Sequence, residues 1–368
     1  MWQIIFILVI ASLIAGFVWM AFAVCRFDGL RHHLPSKRWK RMLVGMGVVA
    51  LVMLSLCLTM DFINMVVCFL HLLFIWLMCD GVGLVVEKLR KRPFRHYYQG
   101  YLALLMTLVW LGVGWRNAHH VVRTTYDLTT SKRVPNLRIV GFSDSHVGAT
   151  FHWQEFETYV ERMNAERPDV VVIMGDFVDD DTSKEDMEMC CKALGRLKTK
   201  YGVFFVYGNH DEGYWENNGR GYTLANLDRC LEASGVTILR DETMPITGDV
   251  GICGRLDKSR SQDRKSANEL MKGRKGEEFV IVLDHEPNDY DDEAASGMDL
   301  VVSGHTHGGQ FLGLGEMGLL LGANDALYGY EKRKDTDFVV SSGIGDWAIK
   351  FKTGCIAEYI VINLKSEK

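Results

Sequence analysis

Residues 304–310 read GHTHGGQ and place two imidazoles, His305 and His307, two positions apart between glycines. The stretch follows the apolar run of residues 300–302, so we expect it to leave the end of a buried strand. Side chains at alternate positions of an extended backbone point the same way, and glycine lets the chain turn tightly beside them. Paired loop histidines are typical metal ligands, although two hydrogen-bonding loop histidines are the simpler alternative. A metal site therefore needs partners from elsewhere in the chain.

Four other predicted strands end in polar residues in the same way. Apolar and β-branched runs predict strands at residues 137–142, 169–174, 203–207, 279–283 and 299–302. The turns after the first four read SDSH at 143–146, GDFVD at 175–179, GNHD at 208–211 and DHEP at 284–287. Each turn alone fits a helix cap or a tight loop. Because ligands gather at the carboxyl ends of strands in α/β sheets, five such turns predict one shared site.

Composition excludes some classes of function and divides the chain in two. The 368 residues carry a formal net charge of −5, which argues against a nucleic-acid binder, because such proteins have a basic surface. Nine cysteines include no CxxC pair, so no disulfide framework is inferred. Residues before about 117 are overwhelmingly apolar, whereas the later residues alternate predicted strands and amphipathic helices. The later part therefore predicts an α/β architecture with a second sheet packed on the first.

Four apolar segments in the first third are candidates to cross a bilayer, which takes about 20 residues. They cover residues 2–24, 42–60, 62–79 and 101–115. We interpret residues 1–120 as a transmembrane four-helix domain that acts mainly as an anchor. Residues 121–135 are polar, rich in Thr and end in proline, so we interpret them as a linker to a second domain at residues 136–368. No basic residue precedes the first segment, which argues against a cleaved signal peptide.

Basic residues predict the orientation of this anchor in an inner or plasma membrane. The loops after the first and third segments are rich in Lys and Arg, whereas the turn between the second and third offers only Asp61. The positive-inside rule places both basic loops in the cytoplasm. Four spans then leave the second domain outside the cytoplasm, whereas three spans would reverse its orientation.

Five motifs occur in a fixed order between residues 144 and 307. They are Asp-x-His, Gly-Asp-x-x-Asp, Gly-Asn-His-Asp, a lone His before Pro, and Gly-His-x-His. In this order they resemble the calcineurin-like metallophosphoesterase superfamily, over residues 136–364. The GHTHGGQ form is similar to a membrane-associated bacterial branch that includes YkuE- and YaeI-like phosphodiesterases and UDP-2,3-diacylglucosamine pyrophosphatase-like enzymes. The resemblance implies an α/β/β/α sandwich, in which helices flank two packed sheets.

The resemblance also implies a centre for two divalent metal ions, and its oxygen and imidazole donors are compatible with Mn, Fe or Zn. The ligands of one metal would be Asp144, His146, Asp176 and His307. The ligands of the other would be Asp176, Asn209, His285 and His305, so that Asp176 is shared.

The same resemblance implies roles for residues around the metals. His210 would protonate the leaving oxygen, and Asp211 would orient its ring. Asp179 would support the geometry of its loop. Asp284 departs from the family, which often has a small residue before the lone His, and we expect it to act as a carboxylate that supports the metal ligands. Residues 350–352 read KFK where relatives often carry Arg, so the resemblance leaves phosphate recognition at that position open.

Two bound cations polarise phosphoryl oxygens and lower the pKa of water, so such an enzyme needs no serine or cysteine nucleophile. We therefore predict a metal-dependent hydrolase of a phosphodiester, phosphomonoester or pyrophosphate bond, acting on a phosphorylated small molecule or a lipid-linked substrate. The alternative is a non-catalytic membrane receptor or scaffold with a structural metal site. The His210–Asp211 pair argues against it, because a structural site needs no acid. A transporter would need more polar residues within the apolar segments.

Overall fold

The chain folds as two compact units, residues 1–113 and residues 114–368. This computed structural model describes residues 2–33, 35–214, 219–274, 276, 278–311 and 313–367. Met1 and Lys368, the outer limits of the two predicted domains, lie outside the described residues.

The first unit is helical. Its elements are α1 (Trp2–Val24), α2 (Asp28–Arg31), α3 (Arg38–Thr59), α4 (Phe62–Arg90) and most of α5 (Tyr98–His119), which ends in the second unit. Helices α1 and α3 cross closely because Gly45 has no side chain, and a Cβ there would lie 2.0 Å from the carbonyl oxygen of Ala21. Trp76 of α4 is only 1% exposed and belongs to the unit's apolar cluster.

Three of the described helices are long and apolar enough to cross a membrane. The segments are Ile7–Val24, Arg38–Thr59 and Phe62–Arg90. The predicted fourth span forms helix α5, but α5 is not among these three, so the count of four is not confirmed. Its ends carry Gln99, Arg116 and Asn117, which lower its hydropathy. Helix α4 extends beyond the predicted residues 62–79 and ends at Arg90. The next residue, Lys91, caps it in a left-handed conformation.

The second unit contains the remaining helices and all the described strands. The helices are α6 (Trp153–Ala165), α7 (Lys184–Leu194), α8 (Leu224–Ala233), α9 (Ala267–Met271), α10 (Tyr290–Ser296) and α11 (Leu314–Leu320). The strands are β1 (Val122–Thr130), β2 (Leu137–Phe142), β3 (Val170–Met174), β4 (Val203–Val206), β5 (Val236–Ile238), β6 (Glu242–Pro245), β7 (Val250–Gly254), β8 (Phe279–Leu283), β9 (Leu300–Ser303), β10 (Gly329–Arg333), β11 (Thr336–Val340) and β12 (Glu358–Ser366).

The strands form two six-stranded sheets, in the orders β1-β12-β2-β3-β4-β5 and β10-β11-β9-β8-β7-β6. Strands β2 to β5 run parallel, as do β7, β8, β9 and β11. Helices α6 to α8 cover the first sheet, where Phe156 packs in the same cluster as Val171. The next residue, Val172, points the opposite way and packs with Ile281 between the sheets. Helices α9 and α10 cover the second sheet. The predicted α/β/β/α sandwich is confirmed.

The predicted linker at residues 121–135 is wrong over most of its length, because residues 122–130 form strand β1. This strand pairs in parallel with β12, from Val122 opposite Glu358 to Thr130 opposite Ser366. Its side chains alternate between half-buried and exposed, and Leu128 reaches the cluster between the sheets. A half-buried strand at a sheet edge can carry polar and β-branched residues such as Thr. The segment is therefore polar enough to resemble a linker.

The carboxyl ends of the central strands of both sheets meet at one place. The amide of Asp144, after β2, donates to the carbonyl oxygen of Gly175, after β3, at 3.0 Å. The amide of Gly304, after β9, donates to the carbonyl oxygen of His285, after β8, also at 3.0 Å. The imidazole of His285 crosses between the sheets and lies 2.6 Å from the carbonyl oxygen of Met174. The loops that carry the predicted site are therefore joined by backbone contacts.

Candidate metal centre

The predicted ligands leave their strands through an unusual backbone conformation. Five of them have a positive φ, which non-glycine residues rarely adopt. They are Asp144 (52°), His146 (37°), Asp176 (52°), His305 (69°) and His307 (49°). Such conformations cost about 1–2 kcal/mol per residue, cluster at functional sites and persist only where the surrounding structure enforces them. Here they turn each loop back on itself.

Glycines make room for the carboxylates at two of these turns. A Cβ at Gly208 would lie 2.2 Å from Oδ1 of Asp176, and a Cβ at Gly304 would lie 2.5 Å from Oδ2 of Asp144. Neither contact is sterically possible, so glycine is required at both positions. The glycines that open the motifs GNHD and GHTHGGQ therefore allow close packing against the acidic residues of other loops.

The first ligand group consists of Asp144, His146 and His307. One donor atom from each lies within 4.8 Å of the other two. Nε2 of His307 is 3.7 Å from Oδ1 of Asp144, and the rings of His146 and His307 stack with centroids 5.2 Å apart. Nε2 of His146 is buried and has no hydrogen-bond partner among the described residues. A buried, unpaired imidazole nitrogen beside a carboxylate fits a metal ligand.

The second ligand group consists of Asp176, His285 and His305, whose donor atoms also lie within 4.8 Å of one another. Asn209 adds an amide oxygen to it. Oδ1 of Asn209 lies 2.9 Å from Nδ1 of His305 and 3.2 Å from Nε2 of His285. The group therefore offers one carboxylate, one amide oxygen and two imidazoles.

Asp176 stands between the two groups. Its Oδ2 atom lies 3.5 Å from Nε2 of His146 in the first group and 3.2 Å from Nε2 of His285 in the second. Its Oδ1 atom accepts a hydrogen bond of 2.8 Å from the amide of His210. All seven predicted ligands are thus brought to one place, and the two groups fall within the two sets that the resemblance implies.

The electrostatics of the site favour bound positive charge. Burial opposes protonation of His146, but the carboxylates of Asp176 and Asp179 outweigh burial and raise the pKa of this imidazole to about 10. Burial likewise opposes protonation of His285, yet Asp176 holds its pKa well above the usual range. Burial and neighbouring cationic side chains hold the pKa of His307 well below its usual range. The buried carboxylates thus attract positive charge, which divalent cations can supply.

Hydrogen bonds from outside the ligand groups orient two of the four imidazoles, so that the second ring nitrogen faces the centre. Nδ1 of His146 lies 3.1 Å from Oδ2 of Asp179, and Nδ1 of His285 lies 2.6 Å from the Met174 carbonyl oxygen. Nδ1 of His307 approaches Oδ1 of Asp346 to 3.1 Å, an ion-pair distance without hydrogen-bond geometry. Sequence reasoning missed Asp346, which directly follows the stretch SSGIG at residues 341–345.

Comparison with known proteins agrees with this geometry. The profile of the calcineurin-like phosphoesterase family matches residues 137–309. YkoQ of Bacillus subtilis, described as an uncharacterized metallophosphoesterase, is 30% identical over 267 residues, which are 69% of this chain and 94% of YkoQ. The chain belongs to the calcineurin-like phosphoesterase family.

Two further relatives match this phosphoesterase over longer stretches. An uncharacterized metallophosphoesterase of Campylobacter jejuni is 27% identical over 314 residues, or 81% of this chain and 79% of the relative. A transmembrane protein with metallophosphoesterase domain from Bos taurus is 28% identical over 302 residues, or 76% of this chain and 65% of the relative. Family membership implies hydrolase activity on phosphoesters.

Asp211 of the phosphoesterase does not orient the ring of His210, so that predicted role is wrong. Its carboxylate accepts four backbone hydrogen bonds, from the amides of Gly208 (2.7 Å), Asp176 (2.8 Å), Phe177 (2.8 Å) and Val178 (3.1 Å). Nδ1 of His210 is buried without a hydrogen-bond partner in the described part of the chain. The turn at residues 208–211 sends the two adjacent side chains in different directions, and Asp211 holds the loop of Asp176.

Asp284 does not support the metal ligands as predicted. Its carboxylate pairs with Arg264 and lies 2.9 Å from Nη1 of Arg255, so it belongs to a buried ion-pair network. Lys352 of the KFK stretch is also fully buried. Its Nζ atom lies 3.3 Å from Oδ1 of Asp346 and donates to the carbonyl oxygen of Ser342. Asp346 therefore lies between Lys352 and His307.

Aromatic residues that the sequence analysis missed flank His210. The ring of His210 has centroid distances of 4.9 Å to Tyr214 and 5.3 Å to Trp347, and both aromatic residues are nearly half exposed. The Tyr214 hydroxyl accepts a hydrogen bond of 2.7 Å from Nδ2 of Asn209, and the Arg260 guanidinium lies 3.9 Å from the centre of the Tyr214 ring. The only signal in the sequence is the position of Tyr214, three residues after the GNHD motif.

Proposed function

We propose that the chain is a membrane-anchored phosphoesterase that depends on two divalent metal ions and hydrolyses a phosphodiester, phosphomonoester or pyrophosphate bond. The observation that carries this proposal is Oδ2 of Asp176, which faces both ligand groups. Asp144, His146, Asp176 and His307 would hold one ion. Asp176, Asn209, His285 and His305 would hold the other.

Bound divalent cations such as Mn, Fe or Zn would polarise the phosphoryl oxygens and acidify a water molecule. The protein supplies positioning and a proton. His210 would protonate the leaving oxygen, because its ring lies 5.0 Å from that of His146 and its Nδ1 has no hydrogen-bond partner among the residues described. Burial lowers the pKa of His210 to about 4, and a phosphoryl anion beside the ring would oppose that shift. Tyr214 and Trp347 would pack against the leaving group.

We also propose that the first unit inserts into the inner or plasma membrane and that the second unit lies outside the cytoplasm. Three apolar helices support insertion, as does the likeness to a relative described as a transmembrane protein. The proposed orientation requires α5 to cross as a fourth span. Its 22 residues give a length of about 33 Å, which is sufficient. A tethered site favours a lipid-linked or envelope phosphate as substrate.

The test is hydrolysis of bis-p-nitrophenyl phosphate by the full chain, purified in mild detergent and supplied with Mn. We expect activity that EDTA removes and that Mn restores, and we expect Asp176→Asn to abolish it while lowering the metal content. Asp181→Asn is the matched control, because this exposed carboxylate lies in the same loop. Retained turnover in Asp176→Asn would overturn the proposal. Bound metal without hydrolysis of any phosphoester, lipid pyrophosphates included, would favour the receptor or scaffold alternative.

A further inference from the structure

The first unit contains a cationic cavity at the end where its two basic loops meet. The cavity has a volume of about 400 Å³ and is lined by residues from the ends of α1 and α2, the start of α3, the later half of α4 and the segment before α5. Its cationic side chains are Arg26, Arg31, Arg41 and Arg95, with His96 beside them. The same lining carries the carboxylates of Asp28, Asp80 and Glu87, and the excess of guanidinium groups over carboxylates favours an anionic ligand.

The carboxylates in this cavity are already engaged. Asp80 pairs with Arg26, and Asp28 lies 2.9 Å from Nδ1 of His96. Oε1 of Glu87 accepts a hydrogen bond of 2.8 Å from the amide of Phe94. Within the described part of the unit, Arg31 and Arg95 have no salt-bridge partner. Two guanidinium groups, which can each bind a phosphate with two hydrogen bonds, thus remain available in the cavity wall.

An apolar cavity of about 460 Å³ lies beside the cationic one. It has no charged residue in its lining, which includes Met20, Val49, Leu72 and Leu104. Trp76 also lines it, and its Nε1 atom donates a hydrogen bond of 2.7 Å to the hydroxyl of Tyr97, which lines the cationic cavity. The two cavities therefore adjoin at this hydrogen-bonded pair of side chains.

We propose that these cavities together bind one anionic phospholipid, with its phosphate at Arg31 and Arg95 and an acyl chain in the apolar cavity. The inference rests on the membrane insertion proposed above. The cationic cavity lies where α1 ends and α3 begins, at the level expected for lipid headgroups. Basic pockets between membrane helices on the cytoplasmic side are suited to anionic headgroups. A free phosphate would use the guanidinium groups and leave the apolar cavity unexplained.

Native mass spectrometry of the full chain in mild detergent tests this proposal, with phosphatidylglycerol and phosphatidylcholine as probes. We expect one phosphatidylglycerol to bind at least about tenfold more tightly than phosphatidylcholine, and the double variant R31Q/R95Q to lose this preference. Leu72→Trp, which fills part of the apolar cavity, should weaken binding of both lipids. Glycerol phosphate, which has the same anionic group without acyl chains, should not compete.

The matched control is R38Q/R92Q, which removes one arginine from each basic segment outside the cavity lining. It should keep the preference for phosphatidylglycerol. Equal retention of both lipids by the unaltered chain, equal losses in the two double variants, or full competition by glycerol phosphate would each overturn the proposal. Asp176→Asn should stop hydrolysis without changing lipid binding, so failure of the lipid site is distinguishable from failure of the proposed hydrolysis.

Discussion

Nδ1 of His146 and Oδ2 of Asp179 lie 3.1 Å apart, and both side chains are buried. The contact fixes the ring so that its Nε2 atom faces Oδ2 of Asp176 at 3.5 Å. Asp179 is itself fixed, because its Oδ1 atom accepts hydrogen bonds from the amides of Asp181 and Thr182 at 2.9 and 3.0 Å. Asp179 thus orients an imidazole of the candidate metal centre.

Asp179→Asn should therefore weaken metal binding about 10- to 100-fold, the usual cost of removing a partner that orients a ligand. The rate at saturating Mn should stay near that of the unaltered protein, because the ligands themselves remain. Titration of Mn against hydrolysis measures both quantities. Asp181→Asn, at the exposed neighbour, should leave the titration midpoint in place. A lower rate at saturating Mn with an unchanged midpoint would contradict the orienting role.

His210→Gln should slow hydrolysis according to the leaving group. Loss of a general acid costs about 100- to 10,000-fold when the leaving oxygen needs a proton. An alkyl phosphodiester should show this loss, whereas a p-nitrophenyl ester, which leaves readily as an anion, should be much less affected. Metal content should not change, because the side chain of His210 belongs to neither ligand group. Equal losses for the two substrates would exclude His210 as the acid.

Asp211→Asn should lower the stability of the protein more than it lowers the rate of hydrolysis. The carboxylate accepts four backbone amides, and an amide side chain can satisfy only some of them, so we expect about 3 kcal/mol of destabilisation. Thermal unfolding of the full chain measures this loss, and Glu212→Gln at the exposed neighbour is the control. A lower rate with the leaving-group dependence of the His210 variant, and no change in unfolding, would restore the ring-orienting role.

Lys352→Met should destabilise the protein by about 3–5 kcal/mol, because it leaves the fully buried Asp346 without its cation. Asp346→Asn should do the same to Lys352 and should also weaken metal binding, since Oδ1 of Asp346 lies 3.1 Å from Nδ1 of His307. The double variant D346N/K352M should cost less than the sum of the single changes. Additive losses in denaturant unfolding would show that the pair is not coupled.

A reporter after Glu367 should reveal the side on which the second unit lies. Alkaline phosphatase, which is active only outside the cytoplasm, should be active when fused after Glu367. A fluorescent protein fused at the same position should not fluoresce. Fusions after Arg92, in the basic segment between α4 and α5, should give the opposite result. Fluorescence at both positions would mean that α5 does not cross the membrane, and the proposed orientation would then be reversed.

The sequence was sufficient to predict the seven candidate ligands because each directly follows a short apolar strand. A strand end and its polar turn form a local pattern, and sheet topology then brings the turns together. Asp346 was not predicted because it lies six residues beyond β11, in a loop whose course depends on tertiary contacts. The burial of Lys352 was not predicted for the same reason, since its partner Asp346 lies in that loop.

The two wrong roles have a shared physical cause. The role of Asp211 came from the family resemblance and that of Asp284 from its place beside His285, but backbone torsion angles decide where a side chain points. Asp211 turns toward the amides of residues 176–178, and Asp284 turns toward Arg255 and Arg264. Strand β1 was missed because its partner is distant in sequence, and its own pattern is too polar to indicate a buried strand.

The pairing of β1 with β12 has a consequence for synthesis of the protein. Thr124 bonds to Glu358, which is made 234 residues later, so β1 leaves the ribosome long before its partner exists. Until then β1 has an unpaired edge, and the first sheet lacks the strand that joins β1 to β2. Closure of this sheet is therefore a late step of folding, and a nascent chain stalled before residue 358 should be exposed to chaperones, proteases and aggregation.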